Sequence, residues 1–388
     1  MASNYISYDA TASNQRPQRP LLNGTRRSSS VQRTKVLFLG LRRSGKTSIQ
    51  SVLFKDMPPK QTFYIETTMR ITKYPIDTVV PLELWDTPGN ATPESIGIPI
   101  GQFRSLIFVI DIRDLYNQPI TKLVDFVTAA YQSNPDINIE VFVHKSEKLQ
   151  EDDKIENFRQ IQERVTDRLL DLAPEYEGVQ PNFYLTSVYD HSLHEAFSRV
   201  LHKLIDSLPY LEDMLNVFCA NSQSPKAFLF DTKSRLYVAT DASPVDSATH
   251  NLCCDYLEML TSFGTLYKSA SASPPRHIQP TGPNAPSSSS ANGTSSTSSP
   301  TASTDALPQR SRKPNKEMFY PSAATSLHPA TPGTTLTYHA ITSSLALLAL
   351  VPTAVYEGRR GLLEYNVVFF REGVQEICDV EKETREGG

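Results

Sequence analysis

The chain has 388 residues, 39% of them hydrophobic, and a net charge of −4. That length allows two domains with unpacked segments beside them, and the weakly acidic balance gives no footing for nucleic-acid binding. The four cysteines, Cys219, Cys253, Cys254 and Cys378, form no Cys-x-x-Cys pair, so zinc is not suggested and a reducing compartment is expected.

Residues 1–33 are rich in Ser, Arg, Asn and Pro and read as a disordered tail without the apolar core of a signal peptide. Ala2 stands where N-myristoylation needs a glycine. From Thr34 the texture changes. TKVLFLG (34–40) predicts a buried strand and KTSIQSVLF (46–54) a helix. VVPLELWDTPG (79–89), SLIFVIDIRD (105–114), INIEVFVHK (137–145) and PNFYLTSVYD (181–190) predict further strands. Helical patterns at 120–132, 155–173 and 194–208 separate or close them. Strands alternating with helices mean parallel βαβ units, with ligands bound where the carboxyl ends of the strands emerge.

A second globular unit follows. KAFLFD (226–231) and RLYVATD (235–241) predict a hairpin, 244–268 a long helix, 334–352 two strands and 364–383 a final helix. Residues 269–316 form a Ser/Thr/Pro-rich insert that cannot bury enough apolar area to order itself. The longest apolar run, LALLALVPTAV (345–355), is broken by Pro352 and is shorter than the ~20 residues of a membrane span. Membrane association is therefore expected only through partners.

Chemistry concentrates in the first unit. Gly40-x-x-x-x-Gly45-Lys46-Thr47 follows a strand and opens a helix, the context in which backbone N–H groups cradle phosphates. Lys46 is expected at the β- and γ-phosphates and the Thr47 hydroxyl on Mg²⁺. Asp86 and Gly89 of WDTPG (85–89) suit a metal-organising carboxylate and a close backbone approach to the γ-phosphate. In TFYIETTMR (62–70), Thr67 and Thr68 are both candidates for a hydroxyl that senses that phosphate. His144-Lys145-Ser146-Glu147 ends a predicted strand, with Lys145 and Glu147 spaced to pack on and hydrogen-bond a guanine. Ser187 and Val188 stand where backbone donors meet the guanine oxygen.

P-loop, switch threonine, WDTPG, HKSE and TSVYD in this order resemble a Ras-superfamily GTPase. GLRRSGKTSI, NIEVFVHK, FYLTSVYDHSLHEAFSRVLHKLI and KAFLFDTKSRLYVATD resemble, more closely, the Rag/Gtr GTPases of the RagC/RagD branch. The resemblance implies an α/β fold: a Ras-like P-loop domain with a mostly parallel sheet (34–212), then a small roadblock, or longin-like, α/β domain (213–268 plus 317–388). It selects Thr68 as the switch threonine and adds Thr62. It places Arg43, Ser44, Gly45, Lys46, Thr47 and Ser48 around the phosphates of GTP or GDP, with Thr47, Thr68 and Asp86 around Mg²⁺. His144, Lys145, Glu147, Ser187 and Val188 surround the base, with Glu147 where Asp is usual. Lys46, Thr68 and Asn90 are the expected catalytic set.

The resemblance further implies a heterodimer with a RagA/B-like GTPase through the C-terminal domain. A Ragulator/EGO-type tether, a GTPase-activating protein and TOR complex 1 are the other expected partners. The expected location is the cytoplasmic face of the lysosome or vacuole, with the nucleus as a further one. Two features predict slow intrinsic hydrolysis: the cations Arg42 and Arg43 in the phosphate loop, and Asn90 where a longer Gln usually positions water. The competing functions are a P-loop metabolic kinase and a scaffold subunit with degenerate nucleotide binding.

Overall fold

The computed structural model describes residues 33–114, 117–267, 320–327 and 333–387. The Ser-rich insert and all but Arg33 of the expected tail lie outside the described residues.

The first sheet contains β1 (Thr34–Gly40), β2 (Thr72–Asp77), β3 (Pro81–Asp86), β4 (Ser105–Asp111), β5 (Asn138–His144) and β6 (Asn182–Thr186) in the order β2-β3-β1-β4-β5-β6. Every pairing is parallel except β2 with β3. Parallel strands are covered on both faces and read as continuous apolar runs, which is why β1, β4 and β5 were legible. The crossovers carry helices α1 (Lys46–Lys55), α2 (Asn117–Ser133) and α3 (Glu151–Leu172), and α4 (Ser192–His202) follows β6. Because β1 is flanked by β3 on one side and β4 on the other, the strand order reverses there. The crevice at its carboxyl end is the topological switch point where such sheets bind ligands.

The second sheet is antiparallel throughout. It contains β7 (Lys226–Asp231), β8 (Tyr237–Thr240), β9 (Ser322–Ser326), β10 (Thr334–Ala340) and β11 (Leu345–Pro352) in the order β8-β7-β11-β10-β9. Helix α5 (Leu208–Ser222) leads into it, α6 (Ser247–Tyr267) follows β8, and α7 (Thr353–Gly358) and α8 (Arg360–Gly387) follow β11. A parallel Ras-like sheet plus an antiparallel sheet consistent with a roadblock-like domain is the α/β architecture expected from the resemblance.

Several elements differ from expectation, among them β9, which no predicted strand covers. β2 carries Pro75 and a largely exposed, polar face, which only an edge strand accepts, so no strand pattern marks it. The helix expected over 194–208 ends at His202, and α5 starts afresh with Pro209 in its first turn, where the missing N–H costs nothing. The final helix begins at Arg360, four residues ahead of the predicted start at 364.

One apolar core joins the two sheets. Phe38 of β1 and Leu193, Phe197 and Val200 of α4 pack in a single cluster with Ala227 and Leu229 of β7, Val238 of β8 and Val367 and Phe370 of α8. α4 also protects a strand edge. Tyr237 of the edge strand β8 donates its N–H to Ser198 Oγ at 3.0 Å, and its carbonyl lies 3.2 Å from His202 Nε2. Side chains of a helix thus satisfy groups that would otherwise offer a template for another chain.

Candidate active site

The cleft at the carboxyl ends of the first sheet encloses about 670 Å³. Its walls include Arg43, Gly45, Lys46, Thr47, Ser48, Thr62, Thr68, Gly89, His144, Lys145, Glu147 and Val188. Four of the sequence-predicted residues stand elsewhere. Ser44, Asp86 and Ser187 are buried behind the wall, and Asn90 is exposed at a turn tip.

At the phosphate-loop end, β1 passes through a left-handed Arg43 (φ 64°) and Gly45 (φ 113°) into α1. Gly45 is obligatory twice over. Its φ strains any L side chain, and an added Cβ would lie 2.5 Å from His144 Cδ2. The Arg42 and Arg43 side chains are exposed, so it is their main chain that the cleft wall shares most closely with Gly89, whose Cβ position falls 2.3 Å from Arg42 N. Lys46 is buried and donates from Nζ to Gly40 O at 2.9 Å and Leu41 O at 3.0 Å. Burial pulls its ammonium down to about 8, with Asp86 opposing the shift and Lys122 adding to it.

Beside Lys46 three oxygens converge. Thr47 Oγ1 donates to Asp86 Oδ2 at 2.6 Å, Thr68 Oγ1 donates to the same oxygen at 3.0 Å, and the two hydroxyls lie 2.8 Å apart. Of the two threonines left open by the residue pattern, it is Thr68 that meets Asp86. Asp86 Oδ1 is buried with no hydrogen-bond partner. No group of three His, Cys, Asp or Glu suited to a metal occurs among the described residues. The arrangement instead suits a hard cation that keeps waters and shares phosphate oxygens, the habit of Mg²⁺.

At the other end, Lys145 adopts a left-handed backbone (φ 65°) and sends Nζ to Arg43 O at 2.6 Å and Asp111 Oδ2 at 2.9 Å. Burial alone would raise the Asp111 carboxyl, but hydrogen bonds from Arg113 and Lys145 outweigh it and hold it near about 2. His144 is buried, with Nδ1 3.0 Å from Thr186 Oγ1, and burial lowers it to about 3, so its ring is neutral. Glu147 Oε2 accepts from Ser187 Oγ at 2.7 Å, which anchors its longer arm. The Ser187 N–H is spent on Ser192 Oγ at 3.0 Å, so Ser187 offers the cleft no backbone donor. Val188 is the wall residue that follows it.

Sequence reasoning missed several wall residues, among them Phe63, Glu66, Arg113, Lys148 and Tyr189. Arg113 alone carried a signal, standing two residues past the end of an apolar strand and gripping Asp111 at 3.0 and 2.8 Å. Lys122, which donates to Gly89 O at 2.7 Å, carried none.

The contact between Gly45 and His144 yields an expected outcome. Gly97 also has positive φ (80°) but open space around its Cβ position, so Gly97→Ala should cost only the backbone strain of about 1 kcal/mol. Gly45→Ala should cost about 2 kcal/mol more, because the new methyl overlaps a buried ring. Urea unfolding of the two variants measures the difference, and equal costs would contradict the packing.

Comparison with known proteins agrees with this geometry. Residues 35–257 match the Gtr1/RagA G protein conserved region. GTP-binding protein gtr2 of Schizosaccharomyces pombe is 43% identical over 250 residues, covering 63% of this chain and 78% of that protein. Ras-related GTP-binding protein D of Mus musculus is 36% identical over 363 residues, 91% of this chain and 70% of that protein. GTP-binding protein GTR2 of Saccharomyces cerevisiae is 40% identical over 241 residues, 60% and 69% of the two chains. With more than half of its length inside the family's conserved region, the chain belongs to the Gtr1/RagA family of GTP-binding proteins, on the branch of Gtr2 and RagC/RagD.

Proposed function

We propose that the chain is a guanine-nucleotide switch that pairs with a RagA/B-like GTPase and relays amino-acid sufficiency to TOR complex 1 at the lysosomal or vacuolar surface. One observation carries the nucleotide part: a single cleft is lined by Lys46, Thr47 and Thr68 at one end, with Asp86 bonded to both threonines from behind, and by Lys145 and Glu147 at the other. Lys46 and the amides ahead of it hold the phosphates, Glu147 accepts from the base edge, and the Lys145 stem packs on its face. Thr47, Thr68 and Asp86 would hold Mg²⁺, which would supply neutralisation of phosphate charge. Thr68 would report the γ-phosphate, since its hydroxyl stands beside Thr47 and Asp86, where a cation shared with that phosphate would be held.

Hydrolysis resets this switch and is slow. What supports that is Asn90: its side chain is one methylene shorter than Gln, and it sits exposed at the turn tip outside the cleft wall. A GTPase-activating protein then supplies the missing catalytic group. Residues 213–268 and 317–388 serve as the dimerisation domain. Support comes from α8, where Leu362, Tyr365, Val368 and Phe369 are exposed, more apolar side chains than one solvated helix usually presents. A Ragulator/EGO-type tether, as the family resemblance implies, provides the membrane contact; no described helix is long and apolar enough to cross a bilayer.

Two measurements check this. Single-turnover GTP hydrolysis should be slow in the wild type and faster by about tenfold in Asn90→Gln; a fast wild type indifferent to the substitution would end the slow-switch account. Co-purification from cells should bring down a RagA/B-like chain with the full protein and not with a version lacking 213–388. Pairing that survives the deletion would remove the assigned role of that domain.

A further inference from the structure

Pro88–Ala91 closes as a four-residue turn, with Ala91 N–H donating to Pro88 O at 3.1 Å. Gly89 and Asn90 are its central pair. In such turns the central peptide unit can flip, exchanging one turn type for another while the flanking residues stay nearly in place. Here the flanks are fixed. Ala91 is buried in the core, Thr87 Oγ1 donates to Phe38 O at 2.7 Å, and Gly89 rests on the Arg42 main chain. The orientation of the 89–90 peptide is the freedom that remains.

Lys122, near the start of α2, holds that peptide. Its Nζ donates to Gly89 O at 2.7 Å, across 33 positions of sequence. A planar trans peptide with its carbonyl fixed has its N–H fixed too, on the opposite side, so the clamp sets where Asn90 begins. Lys122 stands behind the cleft wall, and its hydrogen bond to the wall runs to Gly89. It acts through that residue.

The clamp coexists with a closed switch. Thr68 Oγ1 lies 2.8 Å from Thr47 Oγ1 and 3.0 Å from Asp86 Oδ2, the position that the proposed triphosphate state requires. We infer that Lys122 is a positioning residue of the switch, which holds the 89–90 peptide in one flip state and so favours the triphosphate-competent arrangement over the diphosphate one. The inference rests on the nucleotide-switch function proposed above. A group that contributes unequally to two states shifts the balance between them by that difference and no more. The ratio of GTP to GDP affinities therefore reads the clamp directly.

The full chain, as wild type, Lys122→Met and Lys122→Arg, is titrated with GDP and a non-hydrolysable GTP analogue in Mg²⁺. Lys122→Met should lower the analogue-to-GDP affinity ratio about tenfold, as loss of one charged hydrogen bond does, and Lys122→Arg should keep it within about twofold of wild type. A lysine that merely packs α2 would weaken both nucleotides together and leave the ratio alone. An unchanged ratio in Lys122→Met, or an equal fall in Lys122→Arg, overturns the inference. Lys122→Gln carries the same comparison should the Met variant lack a cooperative melt. Failure of the wild type to bind either nucleotide is a separate result, which removes the switch function itself.

Discussion

A single ammonium group ties the two ends of the cleft together. Lys145 Nζ bonds the Arg43 carbonyl of the phosphate loop and the Asp111 carboxylate at the end of β4. On the other side of the same strand end, the neutral His144 ring fills the space that a side chain at position 45 would need. The phosphate loop is thus locked to the tip of β5 by one charge and one ring. This lock fixes the spacing between the phosphate-loop end of the cleft and the His144–Glu147 end. A pair of partly buried charges offsets its desolvation only where further hydrogen bonds complete it. Here Arg113 completes the Asp111 side with two.

The second domain is joined to the first on both sides of one loop segment. The segment between α1 and β2 carries Thr62 and Thr68, and both its flanks are held from the C-terminal domain. At one flank, Arg235 bridges Asp56, the C-cap that follows α1, and Glu258 of α6 at 2.8 and 2.9 Å. Beyond the other, Arg385 near the end of α8 donates to Val79 O in the β2–β3 turn at 3.3 Å. The continuous core through α4 fills the remainder of the junction.

Much of this was legible in the sequence because burial on both faces leaves a continuous apolar signature. β1, β4 and β5 announce themselves, and with them the loops that follow, so Lys46, Thr47, Asp86, Lys145 and Glu147 could be named from position alone. β2 could not, since an edge strand with Pro75 and polar residues resembles a loop. α5 was hidden by Pro209, which reads as a break and is in fact its first turn. The choice between Thr67 and Thr68 needs the chain's direction at that point, which no periodicity supplies. Lys122 and Arg113 act across 33 and 2 positions respectively. The long reach exists only once the sheet has folded, and Ser187 shows the converse: its amide looked available until Ser192 was seen to take it.

The central claim is that one cleft grips phosphates through Lys46 and reads guanine through Glu147. Isothermal titration of the purified full chain with GTP, GDP, XTP and ATP, with and without Mg²⁺, tests it most directly. GTP and GDP should bind with a Mg²⁺-dependent affinity at least about a hundredfold above that for XTP and ATP, and Lys46→Ala should abolish it. Equal binding of all four nucleotides, or Mg²⁺-independent binding that survives Lys46→Ala, would contradict it.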